Sequence, residues 1–155
     1  METTGGELNG VRGWLLLLCL SLAVLDPTAV LVNLFIVSDV ARPYFSQQPG
    51  FFHLIIVNGV VGIALAVFSL YAGISLFRRL PGAPDTARKY LAAISAYAIL
   101  APFMPFLLRS EQLATRDTFY FNCLNSSFTL VYAGTWRLYL RRSRRVRQTY
   151  FRDAA

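Results

Sequence analysis

Residues 51–77 read FFHLIIVNGVVGIALAVFSLYAGISLF, and the longer run from Pro43 to Phe77 holds no charged side chain. A hydrocarbon core about 30 Å thick takes about 20 residues of helix to cross. Lipid offers the backbone no hydrogen bonds, so a spanning segment satisfies itself as a helix or within a closed barrel. The period-2 alternation of a barrel strand is absent here. The stretch therefore reads as a transmembrane helix, and three others follow the same rule. Gly13 to Ser38 carries a single charge, Asp26, while Tyr90 to Leu108 and Thr118 to Trp136 carry none. Four helices are expected near residues 12–38, 51–77, 87–108 and 118–140. They make an all-α integral membrane four-helix bundle, a single domain with a basic tail at 141–155 and no extramembrane domain.

Composition agrees. Of the 155 residues 55% are hydrophobic and only 15% charged, against about 25% charged in soluble domains. A soluble fold of this size could not cover so much apolar surface, and a disordered chain would not carry it. Two cysteines exclude a disulfide scaffold. Arg42-Pro43 and Pro49-Gly50 bracket the first loop, and Pro81-Gly82-Ala83-Pro84 forms the second. Asp85 is the expected N-cap of the third helix, and Asp117 or Thr118 that of the fourth.

Of the 15 basic residues, one is Lys and the rest are Arg, and their placement gives the threading. Arg12, the loop residues Arg78, Arg79, Arg88 and Lys89, and seven arginines from Arg137 to Arg152 lie on one side; Arg42, Arg109 and Arg116 lie on the other. Both termini and the central loop are expected in the cytoplasm. The segment before the first span holds Glu2 and Glu7, unlike the basic start of a signal peptide, so that span is expected to stay as an anchor. Arg141, Arg142, Arg144, Arg145, Arg147 and Arg152 are placed to draw anionic lipid headgroups, each worth about 1 kcal/mol near the surface. If the fourth helix ran on, Val146 and Tyr150 would lie beside them on a weakly amphipathic extension.

Gly13-Trp14-Leu15-Leu16 at the start of the first helix pairs with Ser143-Arg144-Arg145-Val146-Arg147-Gln148-Thr149-Tyr150-Phe151 after the fourth. With four helices in a chain of this length, that pairing resembles the bacterial membrane family catalogued as domain of unknown function 2569. The resemblance implies a small four-helix inner-membrane protein without an assigned activity, and it carries over no catalytic residue.

Asp26 falls deep inside the first span, where a carboxylate costs at least about 2.5–3.5 kcal/mol. It is expected to be neutral, paired or beside water. Pro27 has no N–H and is expected to push residue 26 off helical angles and kink the helix. Asp26 and Pro27 thus mark either a proton or cation site at a broken helix or a structural joint bonded to a neighbour. Asn122, Asn125, Ser126 and Thr129 share one face of the fourth helix and are the expected partners. Such groups act as interhelical glue, or line a polar pathway. Gly59, Gly62, Ala66, Ser69 and Gly73 form a small-residue face on the second helix, and Ala92 and Ala96 one on the third; all are expected to pack against helices.

No metal site and no cofactor is expected, since His53 is the only histidine and no phosphate loop or nucleophile elbow occurs. Cys19 and Cys123, near opposite membrane faces, are expected as free thiols. Three function classes follow: an accessory protein binding other membrane components or copies of itself, a small oligomeric proton-coupled transporter using Asp26, and a nucleic-acid binder. The first is preferred. A polybasic tail beside a span is explained by topology and lipid, so nucleic acid is not an expected partner.

Overall fold

The computed structural model describes residues 13–41, 49–107, 116–143, 146 and 149–150. Every regular element among them is helical. Helix α1 runs as an α-helix over Trp14–Leu20, widens into a π-helical turn over Ser21–Leu25, and continues as an α-helix over Asp26–Ala41. Helix α2 is Pro49–Phe77. Helix α3 begins as Ala83–Leu100, tightens to a 3-10 turn over Ala101–Phe103 and ends as Met104–Leu107. Helix α4 is Arg116–Arg142.

Three stretches are long and apolar enough to cross a membrane: Trp14–Ile36, Ile55–Phe77 and Ala83–Leu107. In each, only 28% of the most apolar window is buried inside the bundle, so most of the apolar side chains face outward. Phe35, Val60 and Val131 are all largely exposed, which suits lipid and not water. Helix α4 is long enough as well, but Asn122, Asn125, Ser126, Ser127 and Thr129 make its middle more polar than the other three.

Local chemistry sets the ends. Helix α3 starts at Ala83 and not at residue 87, because Pro84 sits in the first turn, where its missing N–H is no loss. Gly82, at φ 79°, turns the chain into it, and the Gly82 carbonyl accepts from the N–H groups of Asp85 and Thr86. Asp85 is thus a first-turn residue paired with Arg88 at 2.9 Å, and not the cap. Helix α2 ends in a Schellman turn: Arg79 N–H donates to Leu76 O and Leu80 N–H to Ser75 O. Arg79 takes the left-handed position at φ 54°, where glycine is usual. Pro102 and Pro105 account for the 3-10 turn in α3, since neither can donate in an α-helical ladder.

The expected kink at Pro27 takes a different form. Asp26 keeps helical angles, φ −63° and ψ −50°. The accommodation lies one turn earlier, where the Asp26 N–H reaches back five residues to Ser21 O. Shifting the ladder by one residue absorbs the proline without breaking the rod.

Each helix packs beside its sequence neighbour. The small-residue face of α2 lies on α1. A Cβ on Gly59 would meet Leu34, on Gly62 Val30, and on Gly73 the backbone of Ala23, so the partners descend as the glycines rise and the pair is antiparallel. On α3 the packing residues are Ala83, Ala87, Leu91 and Ala98; Ala92 is half-buried and Ala96 exposed. The tightest core gathers at one end, from Leu15, Leu18 and Leu22, through Leu76 and Leu91, to Leu140. Helix α4 joins α1 there through aromatic rings, Trp136 lying 6.5 Å from Trp14.

Gly73 is the closest approach: a Cβ there would stand 2.6 Å from Ala23 N. Gly73→Ala should therefore lower the thermal unfolding temperature in detergent, at an overpacking cost of about 1–3 kcal/mol. Gly134→Ala, which meets open space, should be neutral or raise it, since glycine inside a helix costs up to about 1 kcal/mol.

Candidate functional site: the Asp26 cluster

Pro27 and the π-helical turn together create a local deficit. The Asp26 N–H bonds Ser21 O, and Pro27 has no N–H, so the Leu22 carbonyl loses its usual partner inside a buried core. Ser69 of α2 supplies one: its hydroxyl, fully buried, donates to Leu22 O at 2.7 Å. The small-residue face of α2 brings Ser69 close enough to do so.

Three other helices converge on the Asp26 carboxyl. Tyr90 of α3 donates to Oδ2 at 2.9 Å. Tyr132 of α4 reaches Oδ1 at 3.2 Å and Oδ2 at 3.3 Å, and also lies 3.1 Å from Ser21 Oγ. Ser69 Oγ stands 3.3 Å from Oδ2. Ser69 has one hydroxyl hydrogen, and the shorter bond to Leu22 claims it. The approach to Oδ2 is thus bridged by a carboxyl hydrogen whenever Asp26 carries one. Two phenols donate to the group in either form, and only the protonated carboxyl also bridges to Ser69. Rings brace the phenols: Phe68 packs edge-on to Tyr90 at 5.7 Å, and Trp136 to Tyr132 at 6.4 Å.

Sequence reasoning placed a polar partner on the fourth helix but named different residues. Asn122, Asn125, Ser126 and Thr129 lie on the stretch of α4 beyond Tyr132, about 4–15 Å along the axis at 1.5 Å per residue. Thr129 donates to its own helix at Asn125 O, and Ser126 is buried while Asn125 is exposed. Tyr132 was legible in principle, three residues past Thr129 and seven past Asn125. Tyr90 opens a charge-free stretch and reads as a boundary residue, so nothing in its sequence position marks it. A second polar bond crosses the bundle further along, where Tyr97 donates to Asn58 Oδ1 at 2.9 Å.

On the other side of the cluster stand the tail and the second loop. Helix α4 ends at Arg142 instead of running on. Ser143 Oγ accepts from the Val146 N–H at 3.4 Å, Val146 is fully buried in the leucine core, and Tyr150 donates to Leu76 O. The two apolar tail residues thus dock on the bundle, because the carbonyls at the end of α2 and the adjoining core offer partners that a bilayer surface would not. Arg88 ties down α4 by donating to Leu140 O at 3.1 Å. Arg141 and Arg142 are exposed at the end of α4; Arg144, Arg145, Arg147 and Arg152 lie outside the described residues. Burial pushes the Tyr150 phenol up from its ordinary value, aided by Cys19 and opposed by Arg79.

Cys19 and Cys123 are free thiols. Among the described residues no group of three His, Cys, Asp or Glu side chains could hold a metal ion. The family model described as protein of unknown function, DUF2569, matches residues 8–151. The chain belongs to this family. No curated protein and no solved structure matches it.

Ser69→Ala should cost about 1–3 kcal/mol, the penalty for leaving a buried carbonyl unpaired, read as a lower unfolding temperature in detergent. Asp26→Leu should cost as much by stranding two phenols, whereas Asp26→Asn, which still accepts from them, should cost less. Tyr90→Phe and Asp26→Leu together should cost less than their separate sum. At the tail, Tyr150→Phe should speed trypsin cleavage at the following and preceding arginines. An ultraviolet difference titration of wild type against Tyr150→Phe should show this phenol ionising above about 10, the ordinary tyrosine value. A raised folded-state value means that tail docking is complete below that pH and lost as pH rises further.

Proposed function

We propose that this protein is a four-span protein of the cytoplasmic membrane with both termini in the cytoplasm, acting as an accessory protein that binds other membrane components and catalyses no reaction. The observation that carries this reading is how the intramembrane polar groups are used. Asp26, Ser21, Ser69, Tyr90 and Tyr132 bond to one another and to Leu22 O, so they hold four helices together. On one side of them Leu15, Leu18, Leu22, Leu76, Leu91 and Leu140 pack with at most 1% exposure. A permeation path would have to breach that layer. The outward faces, by contrast, are broad and apolar, as a protein that works by contact with lipid and partner helices requires.

The fourth span is supported by its 27-residue length, by Asp117 in its first turn and Arg141 and Arg142 in its last, and by its place beside α3. The threading is supported by the twelve basic residues at one end of the chain's hairpins against three at the other. A second reading, a small oligomeric proton-coupled transporter, draws on one feature: a carboxyl beside a modified helix turn, as at half-helix binding sites.

Fusions to a reporter that fluoresces only in the cytoplasm should light at Ala155 and near Ala83 and stay dark near Ser46; a bright Ser46 fusion would overturn the four-span threading. Proteoliposomes holding the wild-type chain should be as proton-tight as empty vesicles by an internal pH dye. A proton flux that Asp26→Asn abolishes would replace the accessory reading with transport.

A further inference from the structure

Outward helix faces repeat at intervals of three and four, so the repeat alone does not say what covers them. Their chemistry differs. The outward face of α2 carries Ile56, Val60, Ile63, Val67, Leu70 and Ile74, all exposed and all apolar, and lipid covers such a face without loss. The outward side of α4 carries Phe121, Leu124, Phe128, Val131 and Leu138 at the same spacing, with Tyr120, Asn125, Ser127 and Thr135 exposed among them. Two of those four polar groups ask for nothing. Ser127 donates to Cys123 O and Thr135 to Val131 O, each at 2.8 Å, which satisfies a hydroxyl on its own helix. Asn125 is different: its backbone carbonyl accepts from Thr129, but among the described residues its side-chain carboxamide pairs with nothing.

Depth makes that unpaired amide costly. Asn125 stands nine residues into α4 from Arg116, about 14 Å along a helix about 40 Å long. Centred on a hydrocarbon core about 30 Å thick, that position lies about 8 Å inside the lipid. Asn33 of α1 is exposed too, but it lies three residues from the end of the apolar stretch Trp14–Ile36, within reach of water. Tyr120 is the complement of Asn125. Its oxygen accepts from Nε and Nη2 of Arg116, at 3.4 and 3.2 Å, so the phenol hydrogen is what it has left to give. Five residues apart, the two groups point to different sides of one helix and meet only between two helices. With Phe121, Phe128 and Thr135 at heptad position a and Leu124, Val131 and Leu138 at d, Tyr120 falls at g and Asn125 at the following e. In a parallel helix pair that g faces that e of the partner. Copies threaded alike lie parallel, and a two-fold axis makes the bond twice.

We propose that two copies of this chain pair in the membrane through the outward face of α4, with Phe121, Leu124, Phe128 and Val131 interlocking and Tyr120 of each copy donating to the Asn125 carboxamide oxygen of the other. The pairing names a second copy as the partner in the contact reading above, and it rests on α4 being a span. A partner of any other sequence would have to bring its own donor to the depth of Asn125; a second copy carries one at the matching heptad position.

Cysteine cross-linking in proteoliposomes, with lipid in large excess, tests the pairing on the full-length chain. Cys19→Ala with Cys123→Ala removes both native thiols. Into that background go Val131→Cys on α4 or Val67→Cys on α2, positions alike in exposure at 68% and 62%. Under a membrane-permeant oxidant, Val131→Cys should form disulfide-linked dimer several-fold faster than Val67→Cys. Adding Asn125→Leu or Tyr120→Phe should cut the Val131→Cys rate several-fold, and the two together should cut it no further than either alone. Equal rates from α4 and α2 would overturn the pairing, as would a Val131→Cys rate that neither substitution lowers. Rapid labelling of Val131→Cys, and not of Val67→Cys, by a membrane-impermeant maleimide would overturn the fourth span itself, an outcome distinct from the rest.

Discussion

Pro27 cannot donate a hydrogen bond, and the consequences of that one missing hydrogen spread through all four helices. The ladder of α1 slips by a residue over Ser21–Leu25, and the Leu22 carbonyl is left facing the interior. In lipid such a group costs several kcal/mol unless something bonds it. Ser69 does so at 2.7 Å, which requires α2 to lie close against α1. Only glycine and other small residues permit that approach, and Gly73 against Ala23 is its tightest point. The proline, the serine and the glycine are one arrangement seen from three positions.

The carboxyl beside the proline extends it to α3 and α4. Those helices do not need Asp26 to pack on each other. They need it to be held in register with α1, which α4 meets through long aromatic side chains and not through close backbone contact. Tyr90 and Tyr132 have the reach, and ring contacts with Phe68 and Trp136 set their directions. Intramembrane hydrogen bonds are modest singly, about 0.6–2 kcal/mol. Two helices sharing one acceptor gain specificity beyond that sum, because sliding either helix by one turn, about 5.4 Å, would strand its donor in hydrocarbon.

Below this cluster the leucine layer, the Schellman turn and the docked tail form a second arrangement of a different kind. Its binding is apolar and its polar bonds are spent on helix ends: Arg88 on the Leu140 carbonyl, Tyr150 on that of Leu76. Arg141 and Arg142, exposed at the end of α4, are adjacent to these contacts, so one short segment holds basic side chains and seals the bundle. Arg79 shows the overlap within a single residue, a basic side chain at a turn position that glycine would fill with less strain.

The amino-acid order alone determined that this chain enters a membrane, where its helices run, and that position 26 is exceptional. Those features are local: charge-free length, arginine spacing, and an acid followed by proline are all visible without knowing what touches what. The position of Pro84 likewise announced an interruption, though it opens a helix and does not precede one. Which groups answer Asp26 was decided by the tertiary structure. A polar stripe on α4 was the natural candidate, since amides and hydroxyls at helical spacing declare a shared face. The bonds instead come from Ser69, Tyr90 and Tyr132, whose sequence positions resemble packing or boundary residues. Helix rotation and depth choose among faces, and they follow from close contacts such as Gly73 on Ala23, which pair residues fifty positions apart. The tail follows the same logic. Its spacing allowed a helix lying along the bilayer, but Val146 found the leucine core and Tyr150 the Leu76 carbonyl, and only the assembled bundle has either to offer.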